Sequence, residues 1–170
     1  MEQKITPARM ALKWGAICAL ATIILTTTIN MSGLWQSPGA SMLAFVPLII
    51  FMVLAMKEYK EGNDAFMTFG EGFGLGMLLT GVSGVISSLW GILFVKIIDP
   101  TFTEQMRDFQ IENFEEQGLG EEQIEAAIQM TDKFSTGPMM FVFGLIFTMI
   151  IGLIISLIVS AIVKKNKPVF

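Results

Sequence analysis

The sequence contains no histidine in its 170 residues. Histidine is the common nitrogen ligand of zinc, the usual base beside a serine or cysteine nucleophile, and the side chain that titrates near neutral pH. Its absence excludes histidine-based zinc sites, Ser-His-Asp and Cys-His catalysis, and histidine proton relays from this chain. The single cysteine, Cys18, lies in an apolar run and has no partner for an intramolecular disulfide. We therefore expect no enzymatic activity.

Charged residues are also scarce. They make up 15% of the chain, whereas soluble domains carry about 25%. Hydrophobic residues make up 53% and occur in long blocks, and the mean hydropathy is +0.65. The net charge of −4 argues against a nucleic-acid partner, which would require a basic face. The composition predicts a membrane protein whose main partner is the lipid bilayer, with residues 1–170 forming a single domain.

Four apolar stretches are long enough to cross a membrane. A helix rises about 1.5 Å per residue and the hydrocarbon core is about 30 Å thick, so a span needs about 20 apolar residues. The stretches are free of charged residues and cover approximately residues 14–31, 40–56, 72–95 and 139–163. Pro47 predicts a kink in the second. The fold class expected is an all-α membrane protein with four transmembrane helices.

The basic residues before the first span resemble the start of a signal peptide. The apolar run is longer than the core of a signal peptide, however, and no Ala-x-Ala cleavage site follows it. We expect an uncleaved transmembrane helix.

Basic residues collect on one side of the predicted membrane domain. With four crossings, eight of the eleven lie on the same side, namely Lys4, Arg9, Lys13, Lys57, Lys60, Lys164, Lys165 and Lys167. The opposite side holds Arg107 and Lys133, with Lys96 at its border. Cytoplasmic loops carry an excess of lysine and arginine. The N-terminus and the C-terminus are therefore both predicted to be cytoplasmic.

The loop between the third and fourth spans, residues 99–136, is acidic. Its ten acids are Asp99, Glu104, Asp108, Glu112, Glu115, Glu116, Glu121, Glu122, Glu125 and Asp132. Against two basic residues they leave a net charge of −8. Acids contribute little to orientation, so this charge is a property of the loop itself.

Capping and apolar spacing predict two helices within this loop. Asp99-Pro100 is typical of an N-cap followed by a proline at the first helical position. Gly118 and Gly120 interrupt the apolar spacing, and a second helix is expected from Glu121. Residues 135–138, Ser-Thr-Gly-Pro, are a start signal for the fourth span. The loop is thus expected to be an extramembrane helical hairpin.

Thr68-Phe-Gly-Glu71 matches a capping box at the start of the third span. Glu71 is the acid nearest to an apolar run, and acids inside a membrane are candidates for a functional role. We interpret it as a cap, because its carboxylate would reach back to the Thr68 N–H and complement the positive end of the helix.

Small residues recur every four positions in the last two spans. The third span contains Gly72, Gly76, Thr80, Gly84 and Ser88, and the fourth contains Gly144, Thr148, Gly152, Ser156 and Ser160. Residues four apart share a helix face, so each stripe forms a groove in which another backbone can approach closely. The grooves predict helix packing, either within one four-helix bundle or against a second copy of the chain. The first span has a shorter stripe of Ala11, Gly15 and Ala19.

Other signals point to no cofactor and no metal. Glu112, Glu115 and Glu116 could collect a divalent cation, but acids along a helix usually form a solvated face and no EF-hand pattern is present. Arg107, beside Asp108 and near Glu104, is expected to form a surface ion pair. The glycines around Gly74 lack the lysine of a phosphate-binding loop.

Several short motifs occur in order along the chain. They are Glu58-Tyr59-Lys60 after the second span, residues 68–73 (Thr-Phe-Gly-Glu-Gly-Phe) and residues 97–100 (Ile-Ile-Asp-Pro). Together they resemble a bacterial inner-membrane family known as domain of unknown function 4199. The resemblance covers nearly the whole chain but supplies no catalytic or binding residues. It implies a location in the bacterial inner membrane, which would place the acidic loop in the periplasm.

Two functions remain open on the sequence. The first is a non-enzymatic structural or interaction protein that engages other membrane proteins or copies of itself. The second is a small transporter, a channel or an accessory subunit of a membrane complex. A carrier usually has an ionisable group near the bilayer midplane, whereas these spans offer only hydroxyls such as Thr80 and Ser87. The first function is therefore favoured.

Overall fold

The structure is a computed structural model in which residues 6–166 are described. These residues are helical and contain no strand beyond one isolated bridge, which joins Met67 to Lys165. The predicted basic residues Lys4 and Lys167 lie outside the described range. The α-helices are α1 (Pro7–Met31), α2 (Pro38–Leu43), α3 (Val46–Glu61), α4 (Phe69–Leu93), α5 (Phe102–Glu116), α6 (Glu121–Phe134) and α7 (Gly137–Val163). A 3₁₀ turn covers Leu34–Gln36, and a π-helical turn, Phe94–Ile98, extends α4.

Three of these helices are long and apolar enough to cross a membrane: α1, α4 with its π-helical turn, and α7. They contain 25, 30 and 27 residues, so at about 1.5 Å per residue each exceeds the hydrocarbon thickness. The predicted first, third and fourth spans lie within them. Large apolar side chains such as Ile24, Leu78 and Ile150 are exposed on their surfaces. The chain is accordingly a membrane protein.

The predicted second span differs from the expected single kinked helix. Residues 40–56 are divided between α2, which ends at Leu43, and α3, which begins at Val46. Pro47 is near the start of α3, where a missing N–H costs nothing. In a continuous helix its ring would clash with the carbonyl four residues earlier, at Leu43. The proline therefore breaks the helix at that residue instead of bending it, and α3 has only 16 residues.

The chain divides into two compact units. The first comprises residues 1–87 and 145–170, and the second comprises residues 88–144. In the first unit α1 packs along α3, and the ring of Trp14 lies 5.9 Å from that of Phe51. Its core is rich in methionine, including the buried Met10, Met52, Met56 and Met67. The unbranched methionine side chain fills irregular gaps between helices.

In the second unit α5 and α6 are in contact with each other. The break between them is at Gly118, whose φ of +76° is a left-handed conformation that glycine adopts without steric cost. The helix starting at Glu121 confirms the prediction for α6. The predicted start at Asp99-Pro100 is wrong, because α5 begins at Phe102. Asp99 instead accepts hydrogen bonds from the N–H and the hydroxyl of Thr101 (3.2 and 2.6 Å).

Candidate functional site

In the first unit the two stripes of small residues face each other. A Cβ atom on Gly76 would lie 2.7 Å from the Cβ of Ser156, and one on Gly72 would lie 3.1 Å from the Cβ of Ser160. A Cβ on Gly152 would overlap the side chain of Thr80. A Cβ on Gly84 would lie 3.3 Å from the Cγ2 of Thr148. The two helices are therefore antiparallel along this contact. Moving four residues forward along α4 leads to a partner four residues earlier in α7.

The second unit contains the remaining two residues of the stripes, Ser88 and Gly144. A Cβ on Gly144 would lie 3.1 Å from the Oγ of Ser88. All ten residues of the two stripes therefore take part in contacts between α4 and α7. Along these stripes the close neighbour of α4 is α7 of the same chain.

Three hydroxyls of the stripes bond to their own helices. Thr80 donates to the carbonyl of Gly76 at 2.8 Å, Ser156 donates to Leu153 at 3.0 Å, and Ser160 donates to Leu157 at 3.2 Å. Thr80, Ser156 and Ser160 are fully buried. Because these hydroxyls are satisfied and enclosed, they supply packing contacts and offer no surface to a solute.

The helix α1 also approaches α4 through a small residue. A Cβ on Gly15 would lie 2.9 Å from the Cβ of Val82. Nearby, the hydroxyl of Ser83 donates to the sulfur of Cys18 at 3.5 Å. Close approach through glycine therefore extends beyond α4 and α7 to α1.

One end of the first unit carries a polar network, which we call the basic end: Lys13, Glu58, Lys60, Glu71 and Lys165. The ammonium of Lys13 contacts both carboxylate oxygens of Glu58, at 2.7 and 2.8 Å. The indole N–H of Trp14 donates to the same carboxylate at 2.6 Å. The hydrogen bond from Lys13 holds the pKa of Glu58 below its ordinary value, and burial opposes this effect. The network ties the start of α1 to the end of α3.

The start of α4 joins the basic end through Glu71. Its carboxylate accepts from the N–H and the hydroxyl of Thr68 (2.7 and 2.8 Å), and Thr68 accepts from the Glu71 N–H at 3.3 Å. These bonds confirm the predicted capping box. The other carboxylate oxygen accepts from the hydroxyl of Tyr59 at 3.1 Å. Burial, and then the charge of Glu71, raise the pKa of Tyr59 above its ordinary value.

The end of α7 completes the basic end. Lys60 donates to the carbonyl of Val163 at 3.2 Å. Met67 and Lys165 exchange two backbone hydrogen bonds, at 2.9 and 2.8 Å. The ends of α3 and α7 and the starts of α1 and α4 are therefore together at one end of the first unit.

The second unit contains a partly open cavity of about 150 Å³. Its walls include five apolar side chains: Val95, Phe102, Met106, Ile128 and Met140. Polar side chains, including Thr103, Arg107, Thr131 and Asp132, complete the lining. Sequence reasoning did not find this cavity, since its lining residues come from α5, α6, α7 and the π-helical turn.

Arg107 pairs with a different acid from those expected. Its Nη1 lies 3.6 Å from the Oδ2 of Asp132 on α6, whereas the sequence suggested Asp108 or Glu104 on its own helix. Both charged side chains line the cavity. In residues 6–166 no group of three or more acidic or cysteine side chains is arranged to hold a metal ion, and this includes the glutamates of α5.

A family described as protein of unknown function (DUF4199) matches residues 13–165. No curated protein matches the chain, and no solved structure matches it. The matched range covers the basic end, the paired stripes and the cavity.

Proposed function

This chain belongs to the DUF4199 family of proteins of unknown function, and we propose that it is a non-enzymatic interaction protein of the bacterial inner membrane. In this proposal the chain crosses the membrane four times with both termini in the cytoplasm. The helices α5 and α6 form a periplasmic hairpin that binds another membrane protein. The proposal rests mainly on one observation. The helices α5 and α6 are exposed and acidic, and in sequence they lie between two tightly packed spans.

The basic end supports four crossings. Glu58, near the end of α3, contacts Lys13 and Trp14, near the start of α1. The chain between Met31 and Glu58 therefore returns along the length of α1. If α1 crosses the membrane, then α2 and α3 must cross it in the opposite direction, although neither is long enough to do so alone.

The charge distribution supports the orientation. Lys13, Lys60 and Lys165 all take part in contacts at the basic end. Since basic residues are enriched on the cytoplasmic side, we assign this end to the cytoplasm. The acidic residues 99–136 then lie on the periplasmic side.

The packing of the spans speaks against a transport path. Thr80, one of the hydroxyls that the spans offer near the bilayer midplane, is fully buried against Gly152. A solute pathway along this face would require α4 and α7 to separate. An interaction role requires no such movement.

Site-specific photocrosslinking in living cells tests the proposal. A photoreactive amino acid at the exposed Glu112 or Glu122 should form a discrete adduct with one other membrane protein. The matched control is the same substitution at Lys57, on the opposite side of the membrane. Absence of any adduct from α5 and α6, with a monomeric protein on gentle extraction, would contradict an interaction role.

A further inference from the structure

The cavity of the second unit has room for one small apolar group. Its volume is about 150 Å³ and five apolar side chains line it. An apolar cavity of this size can hold a benzene-sized molecule. It is much smaller than the pockets of about 300–1,000 Å³ that take drug-sized ligands. The part of a ligand that is buried in the cavity is therefore no larger than a branched alkyl or single-ring group.

Two opposite charges lie in the lining of the cavity, on different helices. Arg107 and Asp132 are about half exposed, and 3.6 Å separates their nearest atoms. A direct charge-assisted hydrogen bond is shorter, at about 2.7–2.9 Å. The guanidinium has five N–H donors and the carboxylate has four acceptor sites. Both groups therefore keep hydrogen-bonding capacity for a ligand.

The charge of the surrounding residues indicates which class of ligand Arg107 and Asp132 can bind together. Residues 99–136 carry ten acids and two basic residues, so their field repels an anion. A cation would be attracted by Asp132 but repelled by Arg107. A zwitterion avoids both penalties, because its carboxylate can bind Arg107 while its ammonium binds Asp132.

We propose that this cavity binds a small zwitterion with one apolar group, of the class of the apolar α-amino acids. The apolar group lies against Ile128 and Phe102, and the two charged groups bind Arg107 and Asp132. The π-helical turn, Phe94–Ile98, supports a binding role independently, since Val95 from this turn lines the cavity. Single π-helical turns occur frequently at functional sites. This binding does not depend on the interaction role proposed above.

Calorimetry on the purified full-length protein in detergent tests the site, with L-leucine as the probe. L-Leucinamide lacks the carboxylate, 4-methylpentanoate lacks the ammonium, and glycine lacks the apolar group. L-Leucine is expected to bind, and each analogue is expected to bind at least about tenfold more weakly, because each loses a charged or apolar contact. These measurements use the unaltered chain and so do not depend on any variant folding.

Two variants test the named residues. Arg107→Gln and Asp132→Asn should each weaken L-leucine binding by about tenfold or more. Lys133→Gln and Asp108→Asn are matched controls, because each removes a charge of the same sign as its counterpart at a residue outside the cavity lining. Both controls should bind L-leucine as the unaltered chain does. An unchanged circular dichroism spectrum establishes that each variant is folded.

Three results would overturn the proposal. The first is no binding of L-leucine at millimolar concentration. The second is equal binding of L-leucine and 4-methylpentanoate, which would show that the ammonium is not recognised. The third is a folded Arg107→Gln variant that binds L-leucine as tightly as its Lys133→Gln control.

Discussion

Gly76 of α4 and Ser156 of α7 approach so closely that a methyl group on the glycine would lie 2.7 Å from the serine Cβ. Atoms of real side chains do not come this near to one another. In lipid, where the hydrophobic effect between helices is weak, such close contact supplies dispersion energy and aligns the two helices. The pair is one of five that connect the stripes of small residues.

Replacing a glycine of this interface with leucine should destabilise the protein. Gly76→Leu and Gly152→Leu must each force α4 and α7 apart, at a cost of about 1–3 kcal/mol or more for an overpacked core position. Gly74→Leu is the matched control, since nothing lies within 4 Å of a Cβ placed there. Thermal unfolding in detergent, followed by circular dichroism, measures the difference. Equal unfolding temperatures for all three variants would contradict close packing.

The contact between Glu58 and Lys13 predicts a loss of stability in acid. The pKa of Glu58 in the folded protein is lowered from its ordinary value of 4.5. A lowered folded-state pKa gives stability that is present above the unfolded pKa and disappears as pH falls through the folded one. The unaltered chain should therefore unfold at a higher temperature than Glu58→Gln at pH 7. This difference in unfolding temperature should disappear below about pH 4.

The control for this titration is Glu61→Gln, which changes an exposed acid at the same end of α3. The difference in unfolding temperature between Glu61→Gln and the unaltered chain should not show the pH dependence expected for Glu58→Gln. If the difference in unfolding temperature between Glu58→Gln and the unaltered chain stayed constant from pH 7 into acid, the carboxylate charge of Glu58 would not be the source of the stabilisation.

Tyr59 should resist ionisation at high pH. Burial, and then the negative charge of Glu71, raise its pKa above the ordinary 10.0. It is the single tyrosine of the sequence, so the ultraviolet absorbance of tyrosinate reports on it alone. Its titration in the folded protein should lie above that in denaturant. Glu71→Gln should lower the midpoint, because it removes the nearby negative charge.

The same shift has a consequence for stability. A folded-state pKa raised above the unfolded value gives stability that is complete below the unfolded pKa and is lost as pH rises through the folded one. The unaltered chain should therefore lose stability above about pH 10, and Tyr59→Phe should lack this alkaline component. An identical alkaline loss in Tyr59→Phe would assign the effect to another group.

Reporter fusions test the proposed four crossings. Alkaline phosphatase, which is active only in the periplasm, should be active when fused at Gly33 or Gly118. A fluorescent protein that folds in the cytoplasm should be bright when fused after Asn63 or Asn166. Phosphatase activity at Asn63 would mean that α2 and α3 do not cross the membrane. Phosphatase activity after Asn166 would place the C-terminus in the periplasm.

Much of the local structure is predictable because its causes lie within a few residues. The capping box needs only Thr68 and Glu71, and the break between α5 and α6 needs a glycine at 118. The start of α5 was misplaced because Asp99 turns back on Thr101 through two hydrogen bonds. Such a turn and an N-cap have the same residue preferences.

The sequence by itself determined a helical membrane protein, three of its long apolar helices, its acidic segment and the two stripes of small residues. Only the tertiary structure decided that Gly76 meets Ser156, that Pro47 separates α2 from α3, and that Arg107 faces Asp132. The physical reason is that a four-residue period specifies one face of a helix but not the neighbour that covers it. That neighbour is selected by packing among residues distant in the chain, and the same packing creates the cavity beside Arg107.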